Sequence, residues 1–509
     1  MSVGEFGLQS KPSQRCHGGV SSIQQSLLEE RGKKSSRAWL GLLIFTIVLQ
    51  VLSVWNLELS DRDSPRVAGI AREMAVTSNY LIPRLNGENF LEYPPLGFWP
   101  IALSLSISEK PRDILAFLPL VFFGTGTALI TFLIGKTLAV ERIGLIAGFI
   151  LSTTSGFVSL HRHCRVDPVL LFFITLSMYG FVAGYQTSRK SFLFPTVFYL
   201  SMAGAFLSKG IVGAAIPIAA VVMFLVARKD LKAIRKLLLS PGILIFLLPI
   251  FFWGGSVWWF EGPGVVKEVI RQSLHRFFSP LADQAEPPYY YFIPAFSYLM
   301  PWTLLPLVLL WHRWDPNHSR ETLPHSFLLR FAFVWSLTVF IGLSLASAKR
   351  YLYLGPILPP FALLAALGWD LIRQRYRKVK RVEVYGLIVI FLTFVGTYLL
   401  FLSPSEKQQS LRPVFEAASS QRTDGLVYLV NPSERLRGAA FFYLGKRTPV
   451  LNAQDLLLGR FEDRQGTTLV VESYWDDNQL LSYLQSKGYR LLLYKRFGKN
   501  CVCIYSNSS

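Results

Sequence analysis

The residues that could do chemistry in this chain are ionisable groups set at the edges of long apolar runs. Asp63, Arg66, Arg72, Glu73, Arg84 and Glu92 follow one such run, Arg162, Arg165 and Asp167 precede another, and Lys209, Arg276, Lys349 and Arg350 stand beside others. Charges at membrane depth are costly and generally functional, and acids mixed with bases suit a site that binds an anion while moving a proton. A carboxylate such as Asp63 or Asp167 can take a proton from an acceptor hydroxyl, being ionised at neutral pH unless burial raises its pKa. Each also has a structural reading. Asp63 precedes Ser64-Pro65 and a helix-like stretch, Asp167 precedes Pro168, and both patterns suit a helix start. Lys209, in Phe206-Leu-Ser-Lys-Gly210, either snorkels at a helix end or offers a point charge to a phosphate. Arg276, before two phenylalanines, and Lys349-Arg350-Tyr351-Leu-Tyr353 would complete a basic, aromatic pocket around a phosphodiester, although interfacial tyrosines are common anchors.

The elements that must position these groups are membrane helices. With 51% hydrophobic and only 17% charged residues over 509 positions, the chain has too little polar surface to coat a water-soluble globule. The net charge of +20 falls in short clusters between apolar runs, a pattern of cytoplasmic loops and not of a nucleic-acid surface. A crossing needs ~20 mostly apolar residues. Runs of that kind lie at 38–56, 114–138, 143–160, 168–186, 191–208, 210–227, 239–259, 289–311, 326–346, 351–370 and 384–402, about eleven in all, with 11–13 helices as the expected total. The run 95–108 is short and opens on two prolines, so it reads as an interfacial helix. If it does not cross, Lys136/Arg142, Arg189/Lys190, Arg228–Lys236, Arg313/Arg320 and Arg373–Arg381 all fall on the cytoplasmic side, as the positive-inside rule requires.

Three regions follow: a polar cytoplasmic tail over 1–37 without a cleavable signal, a membrane domain over 38–403 whose first outer loop spans 57–113, and an outer domain over 404–509. Beyond Pro404 helix-like and strand-like stretches alternate, which predicts a small α/β domain. Cys16, Cys164, Cys501 and Cys503 show no metal-ligand spacing, and the Cys501/Cys503 thiols are expected on opposite faces of a strand. No long internal repeat points to an inverted-repeat transporter.

The first outer loop reads Asp63-Ser-Pro-Arg66, Ala71-Arg-Glu-Met74, Ile82-Pro-Arg-Leu-Asn-Gly87 and Leu91-Glu-Tyr-Pro-Pro-Leu-Gly-Phe-Trp99. Later come Arg165-Val-Asp167-Pro168, Leu207-Ser-Lys-Gly210, Arg276-Phe277, Pro288-Tyr-Tyr-Tyr291, Met300-Pro-Trp302 and Ala348-Lys-Arg-Tyr-Leu-Tyr353. This ordered set resembles the bacterial GT-C glycosyltransferases related to the aminoarabinose transferase of lipid A and, more distantly, the protein O-mannosyltransferases. The resemblance implies a polyprenyl-phosphate sugar donor and inverting transfer to a lipid, protein or glycan acceptor. It places the reaction on the periplasmic face of a bacterial inner membrane. It also implies Asp63 as the acidic residue at the catalytic centre, Asp167 as its second-loop partner, and Lys209, Arg276 and Tyr353 as donor-phosphate contacts, with Lys349 and Arg350 beside them. Arg66, Arg84, Glu92 and Tyr93 are expected to line the same cavity, and Glu92 matches a position associated with a divalent metal. Ser64 and Tyr93 depart from the family pattern, which usually has an acid and a lysine there. A lipid-linked-sugar transporter, or a membrane scaffold presenting the outer domain, would account for the bundle but not for the acidic first loop.

Overall fold

The computed structural model describes residues 37–186, 192–278, 286–314, 325–346, 348–376, 403–420, 426–461, 466–474, 478–497 and 500–507, with single positions at 389, 393 and 396. The tail over 1–36 and most of the run 384–402 lie outside the described residues. The chain is a multi-pass α-helical membrane protein with a small mixed sheet at its C-terminal end. Five helices among the described residues are long and apolar enough to cross alone, or six when the bent pair Glu141–Thr153 and Ser155–Arg162 counts as one span. Ala38–Val54, Leu193–Lys209 and Ile211–Ala227 have 17 residues each, about 25 Å of helix at 1.5 Å per residue.

Two expected crossings are not single helices. The run 143–160 bends by 57° at Thr154, and 289–311 is divided into Phe292–Tyr298 and Leu307–Trp314. Apolarity over ~20 residues sets how much chain belongs in lipid, but it does not require one unbroken axis. The run 95–108 forms a 3₁₀ turn, Pro95–Gly97, and a short helix, Trp99–Leu105, too short to cross. One apolar core joins helices Asp113–Leu138, Glu141–Thr153, Asp167–Gln186, Ile211–Ala227, Ser326–Leu345 and Leu358–Arg375. Gly242–Glu261 buries only Gly242 and Val257 and exposes Phe251, Phe252, Trp258 and Trp259, as a helix facing lipid should.

Among the described residues the C-terminal sheet has five strands of two to eight residues. β3 (Val427–Val430) runs parallel to β4 (Val450–Leu451) and β5 (Thr468–Tyr474), while β7 (Asn500–Ser506) is antiparallel to β5 and to β6 (Arg490–Phe497). A two-stranded ribbon, β1 (Arg84–Leu85) with β2 (Glu88–Asn89), lies in the loop between helices Ser64–Thr77 and Trp99–Leu105. The expectation for the cysteines is corrected here: Cys501 and Cys503 of β7 pack into the same buried cluster. Residues two apart are one full pleat period apart and so share a face.

The C-terminal domain is seated on the loop that follows helix Ala38–Val54. Helix Glu434–Leu444 starts where Ser433 Oγ accepts the Leu436 N–H at 3.3 Å and stops at Gly445 in the left-handed region. It crosses helix Ser64–Thr77 so closely that a Cβ on Gly69 would lie 2.3 Å from the Gly438 carbonyl oxygen. Asn86 and Thr448 exchange buried hydrogen bonds of 2.7 and 2.8 Å, and Glu406 meets Arg162 at 2.8 Å.

Candidate active site

The site begins at the turn leading into helix Ser64–Thr77. Pro65 suits the first helical turn, and the open N–H groups are met by Asp61: its Oδ1 accepts from Ser64 N–H at 3.0 Å and its Oδ2 from Asp63 N–H at 3.4 Å. The capping role considered for Asp63 therefore belongs to Asp61, and the Asp63 side chain makes no cap hydrogen bond. Its carboxylate is left for cations. Arg66 Nη2 lies 3.1 Å from Oδ1, while Arg350 Nη2 and Arg165 Nη2 lie 3.0 and 3.5 Å from Oδ2. Arg165 also meets Asp61 Oδ2 at 2.7 Å. Burial alone would push the Asp61 carboxyl up, but the charges of His163 and Arg165 and the hydrogen bonds from Arg165 and Ser64 hold it at about 2.

Ser64, where the resembling family has an acid, accepts the Cys164 N–H on its hydroxyl at 2.9 Å. That bond ties the start of helix Ser64–Thr77 to the segment before Asp167 and brings Asp167 alongside. Asp167 opens helix Asp167–Gln186 and forms an ion pair with Lys209, the last residue of helix Leu193–Lys209. The helix ends there because Gly210 adopts φ 69 and ψ −148, a conformation nearly confined to glycine. The Lys209 ammonium lies 4.9 Å from the Tyr353 ring centroid and 5.7 Å from that of Tyr93, so both tyrosines add cation–π stabilisation. Tyr353 belongs to the 3₁₀ turn Tyr351–Ile357, and the Arg350 N–H donates to the buried Tyr291 hydroxyl at 3.3 Å.

These contacts bring segments hundreds of residues apart around one cleft, lined by Asp63, Arg66, Tyr93, Arg165, Asp167, Lys209, Arg350 and Tyr353, with Val67, Val166 and Leu352. Seven of these eight polar or aromatic groups are expected from sequence as site residues. Arg165, picked out from sequence only as a charge at the edge of an apolar run, joins them in the cleft, with Asp61 behind it. The Arg165-Val-Asp167 spacing carried the signal for Arg165, whereas Asp61 had none beyond its place in the loop.

Other expected members stand elsewhere. Lys349 is buried and donates to the carbonyls of Glu286 and Ala346 at 2.7 and 2.5 Å, so its ammonium fastens the backbone behind Arg350 and does not line the cleft. Arg84 pairs with Glu261 at 2.9 Å and Asn89 at 3.2 Å, clamping the ribbon to a membrane helix. Glu92 sits outside the cleft lining, 3.9 Å from Arg66 Nη1. Arg276 falls in helix Pro263–Phe278, but its side chain lies outside the described residues. Glu73 accepts the Gly87 N–H at 3.0 Å, and burial pushes its carboxyl up.

The residues present do not fit a divalent metal at Glu92. Among the described residues no group of three His, Cys, Asp or Glu side chains is placed to hold one. Both cleft carboxylates are already matched by Arg or Lys.

The model of the family described as dolichyl-phosphate-mannose-protein mannosyltransferase matches residues 92–253. The undecaprenyl phosphate-alpha-4-amino-4-deoxy-L-arabinose arabinosyl transferase of Shewanella sediminis is 25% identical over 413 residues, 79% of this chain and 73% of that protein. The crystal structure of ArnT from Cupriavidus metallidurans bound to undecaprenyl phosphate superposes with a TM-score of 0.72 at 17% identity, covering 92% of this chain and 98% of that one. The archaeal oligosaccharyltransferase AglB from Archaeoglobus fulgidus, in complex with an inhibitory peptide and a dolichol-phosphate, gives 0.52 at 13% identity over 92% and 74%. The helical bundle, the cleft at its first loop and these relatives define a membrane-embedded transferase. Within that class the chain is a glycosyltransferase that shares the fold of the GT-C enzymes and is similar to them in sequence.

Proposed function

We propose that this chain transfers a sugar from a polyprenyl-phosphate donor to a hydroxyl acceptor on the outer face of the membrane, with inversion, and that Asp63 is the base. The observation that carries the reading is the juxtaposition, in one cleft, of the Asp63 carboxylate with Arg350 and the tyrosine-flanked Lys209. Polyprenyl phosphate is itself a good leaving group, so the protein has only to stabilise the charge that develops on it. Lys209 supplies a compact cation and Arg350 a planar fork.

Asp63 starts surrounded by guanidinium groups, which occupy the carboxylate oxygens that an acceptor hydroxyl would need. Of the three, Arg350 is the most exposed, with 30% of its side chain accessible against 14% for Arg66 and 8% for Arg165. A donor phosphate entering the cleft competes with Asp63 for Arg350 and opens one side of Oδ2 to the acceptor hydroxyl, while Arg165 stays 3.5 Å from that oxygen. The acceptor oxygen then bonds to the anomeric carbon as the bond from that carbon to the phosphate oxygen breaks. The hydroxyl proton passes to Asp63, and the electron pair leaves on the phosphate. Asp167 holds the Lys209 ammonium in place through the displacement.

The acceptor is a lipid, a protein or a glycan, and an N-terminus in the cytoplasm with the 404–509 domain outside puts the cleft on the same face as that domain. Such a disposition suits a bacterial inner membrane. Nothing favours a transporter. Purified protein in detergent, given a panel of polyprenyl-phosphate sugars, should release carrier phosphate, and Asp63→Asn should lower that rate by about 10²–10⁴-fold with carrier binding retained. Full turnover by Asp63→Asn would refute the base assignment.

A further inference from the structure

The C-terminal domain reaches the cleft through one side chain. Glu434 Oε2 lies 2.7 Å from Arg66 Nη1, while Nη2 of the same guanidinium is 3.1 Å from Asp63 Oδ1. The two donors of Arg66 therefore serve two carboxylates from different domains. The backbones beneath them touch: a Cβ on Gly438 would lie 2.4 Å from the Pro65 carbonyl oxygen and 2.5 Å from Arg66 Cα. Arg435, next to Glu434, donates to the Ser60 carbonyl at 2.7 Å. The domain thus grips the Asp61–Asp63 turn on both sides.

Resting on the transferase reading above, we infer that Glu434 is a positioning residue for the reaction, and that the C-terminal domain is part of the catalytic unit and not a separate module. Arg66 and Asp63 are three residues apart on a helix start, within reach of a fork-to-fork pair. Glu434 prevents that pairing by holding Nη1. Asp63 then meets Arg66 through one oxygen only, and its other oxygen faces Arg350 and the cleft. With Glu434 neutralised, the guanidinium is free to turn both donors onto Asp63 and occupy the base.

The test is Glu434→Gln in the full-length protein, with Arg437→Gln as the control; Arg437 makes the neighbouring exposed pair between the domains, 2.7 Å from Glu88, and does not touch Arg66. The inference expects kcat to fall about tenfold or more in Glu434→Gln, as misplacement of a reacting group does, with the donor KM and the stoichiometry of undecaprenyl phosphate binding unchanged. Arg437→Gln should match wild type. Gly438→Ala, which presses on the Arg66 backbone, should reproduce the kcat loss. If it does not fold, Glu434→Gln decides alone. Wild-type kcat in Glu434→Gln, or an equal loss in Arg437→Gln, overturns the inference. Absence of turnover by wild type itself would sink the transferase reading instead; carrier binding weakened tenfold or more in Glu434→Gln would then still overturn the positioning role.

Discussion

Three guanidinium groups around one carboxylate make charge balance the central problem at Asp63, and Arg165 is the member that also serves Asp61. Removing Arg165 leaves two largely buried carboxylates short of a partner, so Arg165→Gln should cost about 3–5 kcal/mol of stability, read as a lower unfolding temperature in detergent. The Asp61 carboxyl is held at about 2, below its ordinary 3.8. Because the folded value is the lower one, the pair contributes stability that is fully present above about pH 4 and is lost as pH falls through about 2. Asp61→Asn should therefore be less stable than wild type at neutral pH, and the two melting curves should converge between pH 4 and 2. A gap that persists unchanged to pH 2 would show that the Asp61 charge adds nothing.

At the scale of elements, helix ends do the placing. Lys209 is where it is because Gly210 stops helix Leu193–Lys209 in a backbone conformation that L side chains rarely adopt. Gly210→Ala should cost about 1–3 kcal/mol and let the last turn shift, raising the donor KM more than it lowers kcat. An unchanged KM would mean that Lys209 does not hold the donor. The helix starts at Asp63–Ser64 and Asp167–Pro168 were legible because proline and a short polar residue have position-specific preferences. Which of Asp61 and Asp63 caps the first was not legible, since both carboxylates reach the same turn and only the placement of the arginines separates them.

For the molecule as a whole, the arrangement proposed puts the cleft and the C-terminal domain on one side of the membrane. A reporter fused after Ser509 should behave as external and one fused at the N-terminus as cytoplasmic; an internal C-terminal reporter would shift every outer loop inward. The same docking, Asn86 with Thr448 and Glu406 with Arg162, fastens the C-terminal domain to the loops around the cleft and predicts that the domain resists proteolytic removal until those loops open.

The sequence by itself determined the solvent of this protein, the apolar runs that belong in lipid, the alternation of the C-terminal domain and most of the residues around the cleft. Those follow from composition and from periods of 3.6 and 2, which are local properties. Tertiary structure alone decided which cation meets which carboxylate. Lys349 and Arg350 are adjacent and chemically alike, yet one caps two carbonyls and the other faces Asp63. Glu434 and Arg66, far apart in the chain, are joined only because two glycines let their helices touch. Pairing of charges is a matter of distance in space, and no local pattern encodes it.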